Sequence, residues 1–206
     1  MAGHAGDRET VLAGLEHELP EARTVALGAA VRLGLLDAAA LRRFLADPVV
    51  EVRHRAVEIA SRLPDGDLLV DDLIGLLADD SLAEVTAFAI GELDLDDDAR
   101  ARAAVAIGAQ ATGHEDALCR ESAVAALGAL GVGLPHILTA TGDVATVRRR
   151  AILALAPFDG PEVEAALERA IDDRDWQVRQ AAEDLRTPAG ADDDSPGASN
   201  DSAADD

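Results

Sequence analysis

Between residues 8 and 186 the apolar positions return every third or fourth residue, in short stretches broken by glycine, proline and aspartate. That spacing is helical, and no stretch alternates apolar and polar residues as a strand would. Six of the stretches share one arrangement: a small apolar residue, usually arginine, two variable residues, then alanine. They are Ala22-Arg23-x-x-Ala26, Val52-Arg53-x-x-Ala56, Val85-Thr86-x-x-Ala89, Cys119-Arg120-x-x-Ala123, Val147-Arg148-x-x-Ala151 and Val178-Arg179-x-x-Ala182. The arginine positions, Thr86 standing in for one, follow each other at 30, 33, 34, 28 and 31 residues. Counted from the arginine, apolar residues fall at −1, +3, +6 or +7 and +10, as with Val52, Ala56, Ile59, Ala60 and Leu63. This predicts six helices, each burying a single stripe.

A second helix precedes each of these. Leu41, Phe44 and Leu45 mark one, Leu69, Leu73, Leu76 and Leu77 another, and Val163, Ala166, Leu167, Ala170 and Ile171 a third. For the fourth pair the spacing predicts a first helix near residues 98–109. Asp47-Pro48 is a helix-start signal, with the aspartate as cap and the proline in the first turn. A two-helix unit repeated six times points to a stacked array.

The pattern resembles the HEAT repeat family, in the short variety found in phycobilin lyases, over roughly residues 8–186. The resemblance implies an all-α fold: a right-handed α-α superhelix, or solenoid, of about six repeats and twelve helices, spanning residues 1–186. In that family an aspartate at the inter-helix turn and the arginine of the second helix form a ladder along the array. The matching residues are Asp47 with Arg53, Asp143 with Arg148, and Asp173 with Arg179, five or six positions apart. A carboxylate at a helix start accepts backbone N–H bonds, and a guanidinium satisfies its remaining lone pairs. Asp80 would face Thr86, which breaks the ladder, and His17 and His114 take the aspartate position in repeats one and four.

Composition narrows the choice of partner. The chain carries 40 acids, 26 of them aspartate, against 18 arginines and no lysine, a net charge of −22. Nucleic acid or an anionic membrane would be repelled as a broad-surface partner. The charge suits either a cationic partner or life in molar salt, where a carboxylate coat keeps a protein hydrated. Missing lysine and an aspartate excess throughout favour the second, as in halophilic archaea. Residues 187–206 hold six aspartates and no basic residue, otherwise mostly Ala, Gly, Ser and Pro, and are expected to form a disordered acidic tail. Without them the net charge is still −16, from 34 acids against 18 arginines. The first 20 residues lack the charged-then-apolar order of a secretion signal, so the expectation is a cytoplasmic monomer.

Catalytic chemistry is hard to place on this sequence. Deoxyhypusine hydroxylase, a HEAT-repeat di-iron enzyme, carries His-Glu in the two variable positions after the repeat arginine. Here those positions hold Thr24-Val25, His54-Arg55, Ala87-Phe88, Glu121-Ser122, Arg149-Arg150 and Gln180-Ala181. No nucleophile motif or phosphate-binding glycine loop occurs, and neither a cofactor nor a metal is expected. The one cysteine, Cys119, replaces a valine of the stripe and reads as a small buried apolar residue. Trp176 is expected to pack at the start of the last helix and cover the end of the array, with ligand stacking as the alternative.

The function expected is therefore a non-catalytic scaffold that binds a protein on the concave face lined by the second helices. Positions there include Val25, Gly28, Val31, Gly91, Ala125, Ala129 and Leu153. Phe88 lies off its helix's buried stripe, and Arg55, Arg149 and Arg150 are the candidate cations that would select acidic groups beside it. Two other readings are a phycobilin-lyase-like enzyme or accessory subunit, and DNA binding along the groove, which only two repeats supply with basic pairs.

Overall fold

The computed structural model describes residues 3–186, with side chains from residue 7 onward; the acidic segment 187–206 lies outside the described residues. The described residues are all-α, with twelve α-helices and no strand. They fall into six consecutive pairs: α1 (Gly3–Leu15) with α2 (Pro20–Arg32), α3 (Ala38–Leu45) with α4 (Val50–Ala60), and α5 (Val70–Leu76) with α6 (Ala83–Gly91). Then come α7 (Asp97–Gly113) with α8 (Ala117–Leu130), α9 (Leu134–Ala140) with α10 (Ala145–Ala154), and α11 (Pro161–Ile171) with α12 (Trp176–Arg186). A single 3-10 turn over Gly66–Leu69 leads into α5, so the leucines that marked that helix are shared between two elements. No helix among them is long and apolar enough to cross a membrane.

Local chemistry sets the helix starts. Pro20, Pro135 and Pro161 lie in the first turns of α2, α9 and α11, where an intrahelical N–H partner is missing anyway. Asp37, Asp96 and Asp116 accept the N–H groups of Ala40, Ala99 and Leu118 at 2.7–2.9 Å and so cap α3, α7 and α8. Asp47-Pro48 acts differently from the sequence expectation. The helix begins two residues after the proline, at Val50, and Asp47 holds the turn by accepting the Val49 N–H at 2.9 Å. α7 also runs on to Gly113, past the expected end near residue 109.

Each pair packs on itself, and the even-numbered helices contact one another in chain order from α2 to α12. α3, α5, α7 and α9 form a second row in the same way. The alanines at the +3 position, Ala26, Ala56, Ala89, Ala123, Ala151 and Ala182, are all 5 % exposed or less, and Ala26 lies against Gly14 of α1, where small residues let the paired helices approach closely. Leucine and isoleucine fill the space between the rows: Leu27, Leu41, Ile59, Leu73, Ile90, Ile107, Leu127 and Ile152 are fully buried. Burying each such side chain contributes about 1.5–3 kcal/mol. Two junctions are tighter still. A Cβ on Gly91 would stand 2.9 Å from the Cα of Ala126, and one on Gly128 would stand 2.8 Å from the Cα of Ala154. Backbone therefore touches backbone where α6 meets α8 and where α8 meets α10.

Candidate functional site

The most regular polar feature runs along the turns between paired helices. In each turn one side chain bonds the backbone N–H just ahead of the second helix: Asp47 takes Val49, Asp79 takes Ser81, Asp143 takes Val144 and Asp173 takes Asp175. The arginine one turn into that helix reaches back. Its Nη1 donates to a carbonyl oxygen of the same turn: Arg23 to His17, Arg53 to Asp47, Arg120 to His114, Arg148 to Asp143 and Arg179 to Asp173, all at 2.7–2.9 Å. The guanidinium is thereby fixed with its other edge facing the next pair. There Arg23 grips Asp47 through Nε and Nη2 at 2.9 and 2.8 Å, Arg120 grips Asp143 at 2.6 and 2.8 Å, and Arg148 grips Asp173 at 2.9 and 2.8 Å. Arg53 reaches Asp79 with Nη2 alone, at 3.0 Å. Two parallel N–H···O bonds to one carboxylate are the strong, directional form of this contact.

This corrects the pairing read from the sequence. Asp47 with Arg53, Asp143 with Arg148, and Asp173 with Arg179 meet only through the aspartate's backbone carbonyl; the side-chain rungs join each pair to the next. The turn aspartate of the third pair is Asp79, not Asp80. The inter-pair register also accounts for the two histidines. An aspartate is useful only where the preceding pair supplies an arginine. His114 follows Thr86, and His17 lies in the first described pair. Both keep the turn closed, since Nδ1 accepts the N–H of Asp116 and of Leu19 at 3.0 and 3.1 Å. Thr86 and His114 are thus one coupled replacement. The Thr86 Oγ1 and His114 Nε2 atoms are buried without a hydrogen bond among the described residues.

Restoring the charge pair tests this register. Thr86→Arg alone buries an unpaired cation, and His114→Asp alone sets a carboxylate beside Asp80, now 3.6 Å from the imidazole. Together they are expected to be more stable than the sum of the singles by about 1–3 kcal/mol. A double-mutant cycle by urea unfolding measures this, and a coupling near zero would refute the register that sets position 86 opposite position 114.

Electrostatics follows the geometry. The Arg120 and Arg148 forks hold Asp143 and Asp173 below the ordinary carboxylate value, against an opposing effect of burial. For Asp47 burial pushes upward most strongly, and the Arg23 and Val49 bonds together outweigh it. Asp79 is lowered by Ser81 first and by Arg53 second. Burial, with Asp116 and Glu84 nearby, pushes the Cys119 thiol up, which makes it a poor nucleophile.

Two exposed aromatics lie on the even-helix row. Phe88 on α6 is 58 % exposed and lies in a cleft against α4 with Glu58, Arg62 and Glu92. Arg62 was not anticipated; it lies two residues past the end of α4 and has no ionic partner among the described residues. Of the three arginines proposed to flank Phe88, none lines that cleft. Arg55 donates to Glu58 at 2.7 Å and lies over Gly28, while Arg150 bonds Glu121 at 3.2 Å across to α8. Arg149 is free of such partners and belongs to a second cleft between α10 and α12, with Leu153, Trp176, Gln177 and Gln180. Trp176, 64 % exposed, does not cover the end of the array as expected. It stands three residues before Arg179, off the buried series, by the same criterion that picks out Phe88. Gly91 and Gly28 are occupied by α8 and by Arg55, so they offer no open surface, whereas Val25 is 72 % exposed.

Among the described residues no three His, Cys, Asp or Glu side chains converge where a metal ion could be held. No protein-family model matches the chain, and no curated protein matches it.

Proposed function

We propose that this chain is a HEAT-type α-solenoid that serves as a non-catalytic scaffold, binding a protein partner across its even-numbered helices. The observation that carries this is the pair of exposed aromatics, Phe88 and Trp176, each in a cleft between successive even helices and each beside an unpaired arginine, Arg62 and Arg149. Aromatic and arginine side chains dominate the energetics of protein interfaces. Most of this protein's other arginines are engaged by carboxylates, whereas Arg62 and Arg149 are not, and beside the two aromatics they supply orientation for acidic groups on a partner that also offers apolar anchors. The acidic surface around them selects against anionic polymers and favours a partner carrying compensating cations.

Once a partner has been retrieved from the native host at native salt, Phe88→Ala and Trp176→Ala are each expected to weaken binding by about 30-fold, the equivalent of roughly 2 kcal/mol. Val105→Ala, on α7 in the other row and 75 % exposed, should leave affinity unchanged. Circular dichroism must show wild-type helicity in all three. Wild-type affinity in both aromatic variants would place the partner elsewhere.

A further inference from the structure

A cleft of about 380 Å³ between α2 and α4 is walled by Pro20, Thr24 and Val25 and flanked by Glu21 and Glu51. Glu51 also lines the neighbouring cleft, with Val50, His54 and Ser81, so the two join into one groove across the starts of α2, α4 and α6. Its apolar wall is open to solvent, Val25 being 72 % exposed. Its acids recur in register: Glu21, Glu51 and Glu84 are exposed first-turn residues, each two places ahead of the arginine position of its helix. The helix dipole does not demand them, because α8, α10 and α12 hold Leu118, Thr146 and Gln177 at the same place. No cation bonds the three glutamates among the described residues. Arg23 and Arg55, on the same helices, are held by Asp47 and Glu58.

We infer that this groove binds an extended basic segment of a partner protein, with a cation at every third residue. An arginine or lysine matches the groove's two surfaces, since its methylene stem covers Pro20 and Val25 while its charged head stays with the glutamates in water. The spacing follows from the stacking. Packed helices lie about 8–10 Å apart. Three residues of polyproline II advance about 9 Å and return the side chain to the same face. Successive cations therefore meet Glu21, Glu51 and Glu84 in turn. A β-strand would point alternate cations away from the groove. The net charge of −16 on residues 1–186 draws such a segment in before contact. This deepens the scaffold reading, on which it rests for the partner being a protein, but it uses neither aromatic cleft.

The probe is a fluorescein-labelled peptide of three Arg-Pro-Pro units, compared with an isomer in which the three arginines are adjacent and followed by six prolines. Binding to the full chain is followed by fluorescence anisotropy, at the lowest salt that keeps wild-type helicity by circular dichroism. The spaced peptide is expected to bind about tenfold more tightly than the clustered one. Glu51→Gln should weaken it about fivefold, and Val25→Ser, which changes no charge, about threefold. Glu162→Gln, an exposed first-turn glutamate on α11, should leave it unchanged. Equal affinity for the two peptides, or binding of neither, would overturn the inference. So would equal losses from Glu51→Gln and Glu162→Gln, or no loss from Val25→Ser, since bulk charge would then be the whole attraction. Phe88→Ala and Trp176→Ala should leave peptide affinity unchanged, and a loss in either would place the peptide in the aromatic clefts instead. The groove can therefore fail while the scaffold reading stands, and the reverse.

Discussion

Arg148→Ala is expected to lower the unfolding free energy by about 2–3 kcal/mol at pH 7. Arg148 is only 6 % exposed, and the change removes two bonds to Asp173 and one to the Asp143 carbonyl while leaving Asp173 half-buried without its cation. Arg174→Ala, in the adjoining turn and exposed, should stay within about 0.5 kcal/mol. The difference carries a pH signature. The Arg148 fork, working against burial, lowers the Asp173 pKa from its ordinary 3.8. A depressed folded-state value means the pair's contribution is fully present above 3.8 and is lost as pH falls through the folded value. The Arg148→Ala deficit measured by urea unfolding should therefore shrink well below pH 3.8, leaving only lost packing. A deficit of the same size in acid as at neutrality would show that the ion pair is not its source.

Alanine at two helical glycines should act in opposite directions. Gly128→Ala is expected to destabilise by about 1–3 kcal/mol, because its Cβ would stand 2.7 Å from the Ala154 Cβ and 2.8 Å from the Ala154 Cα. Backbone occupies that space and cannot swing aside. Gly75→Ala, on α5 with nothing within 4 Å of the new methyl, should stabilise by about 0.5–1 kcal/mol through the reduced freedom of the unfolded chain. Thermal unfolding of the two variants is enough to decide. A gain from both would mean that α8 and α10 are not in backbone contact.

The residues of the ladder were visible in the sequence, and their partners were not. An aspartate and an arginine six apart within one repeat look like a pair; the true carboxylate partners lie 23 to 26 residues on, where nothing in the spacing singles them out. The six-residue spacing does encode a contact, but to a backbone carbonyl, which leaves no side-chain signature. Helix positions were legible because burial on one face imposes the helical period directly. Phe88 was legible for the complementary reason, that it falls outside that period, and Trp176 fails the same test but was assigned to end packing. The glycines misled. Gly28 and Gly91 look like gaps in a surface, when Arg55 lies over the first and α8 packs against the second.

One consequence concerns cooperativity. A rung exists only while both neighbouring pairs are in place, so in a linear array it adds to the coupling between units and nothing to any unit alone. Four of the five junctions between successive pairs have such a rung. The fifth, between the third and fourth pairs, has Thr86 and His114 in place of the arginine and the aspartate and so no such rung, and there Gly91 brings the α6 backbone against Ala126 of α8. Protonating the aspartates therefore weakens the coupling at four junctions and leaves that one intact. Acid should divide the array into short blocks that open independently, with the central α5–α8 block holding together longest and its amides the last to exchange.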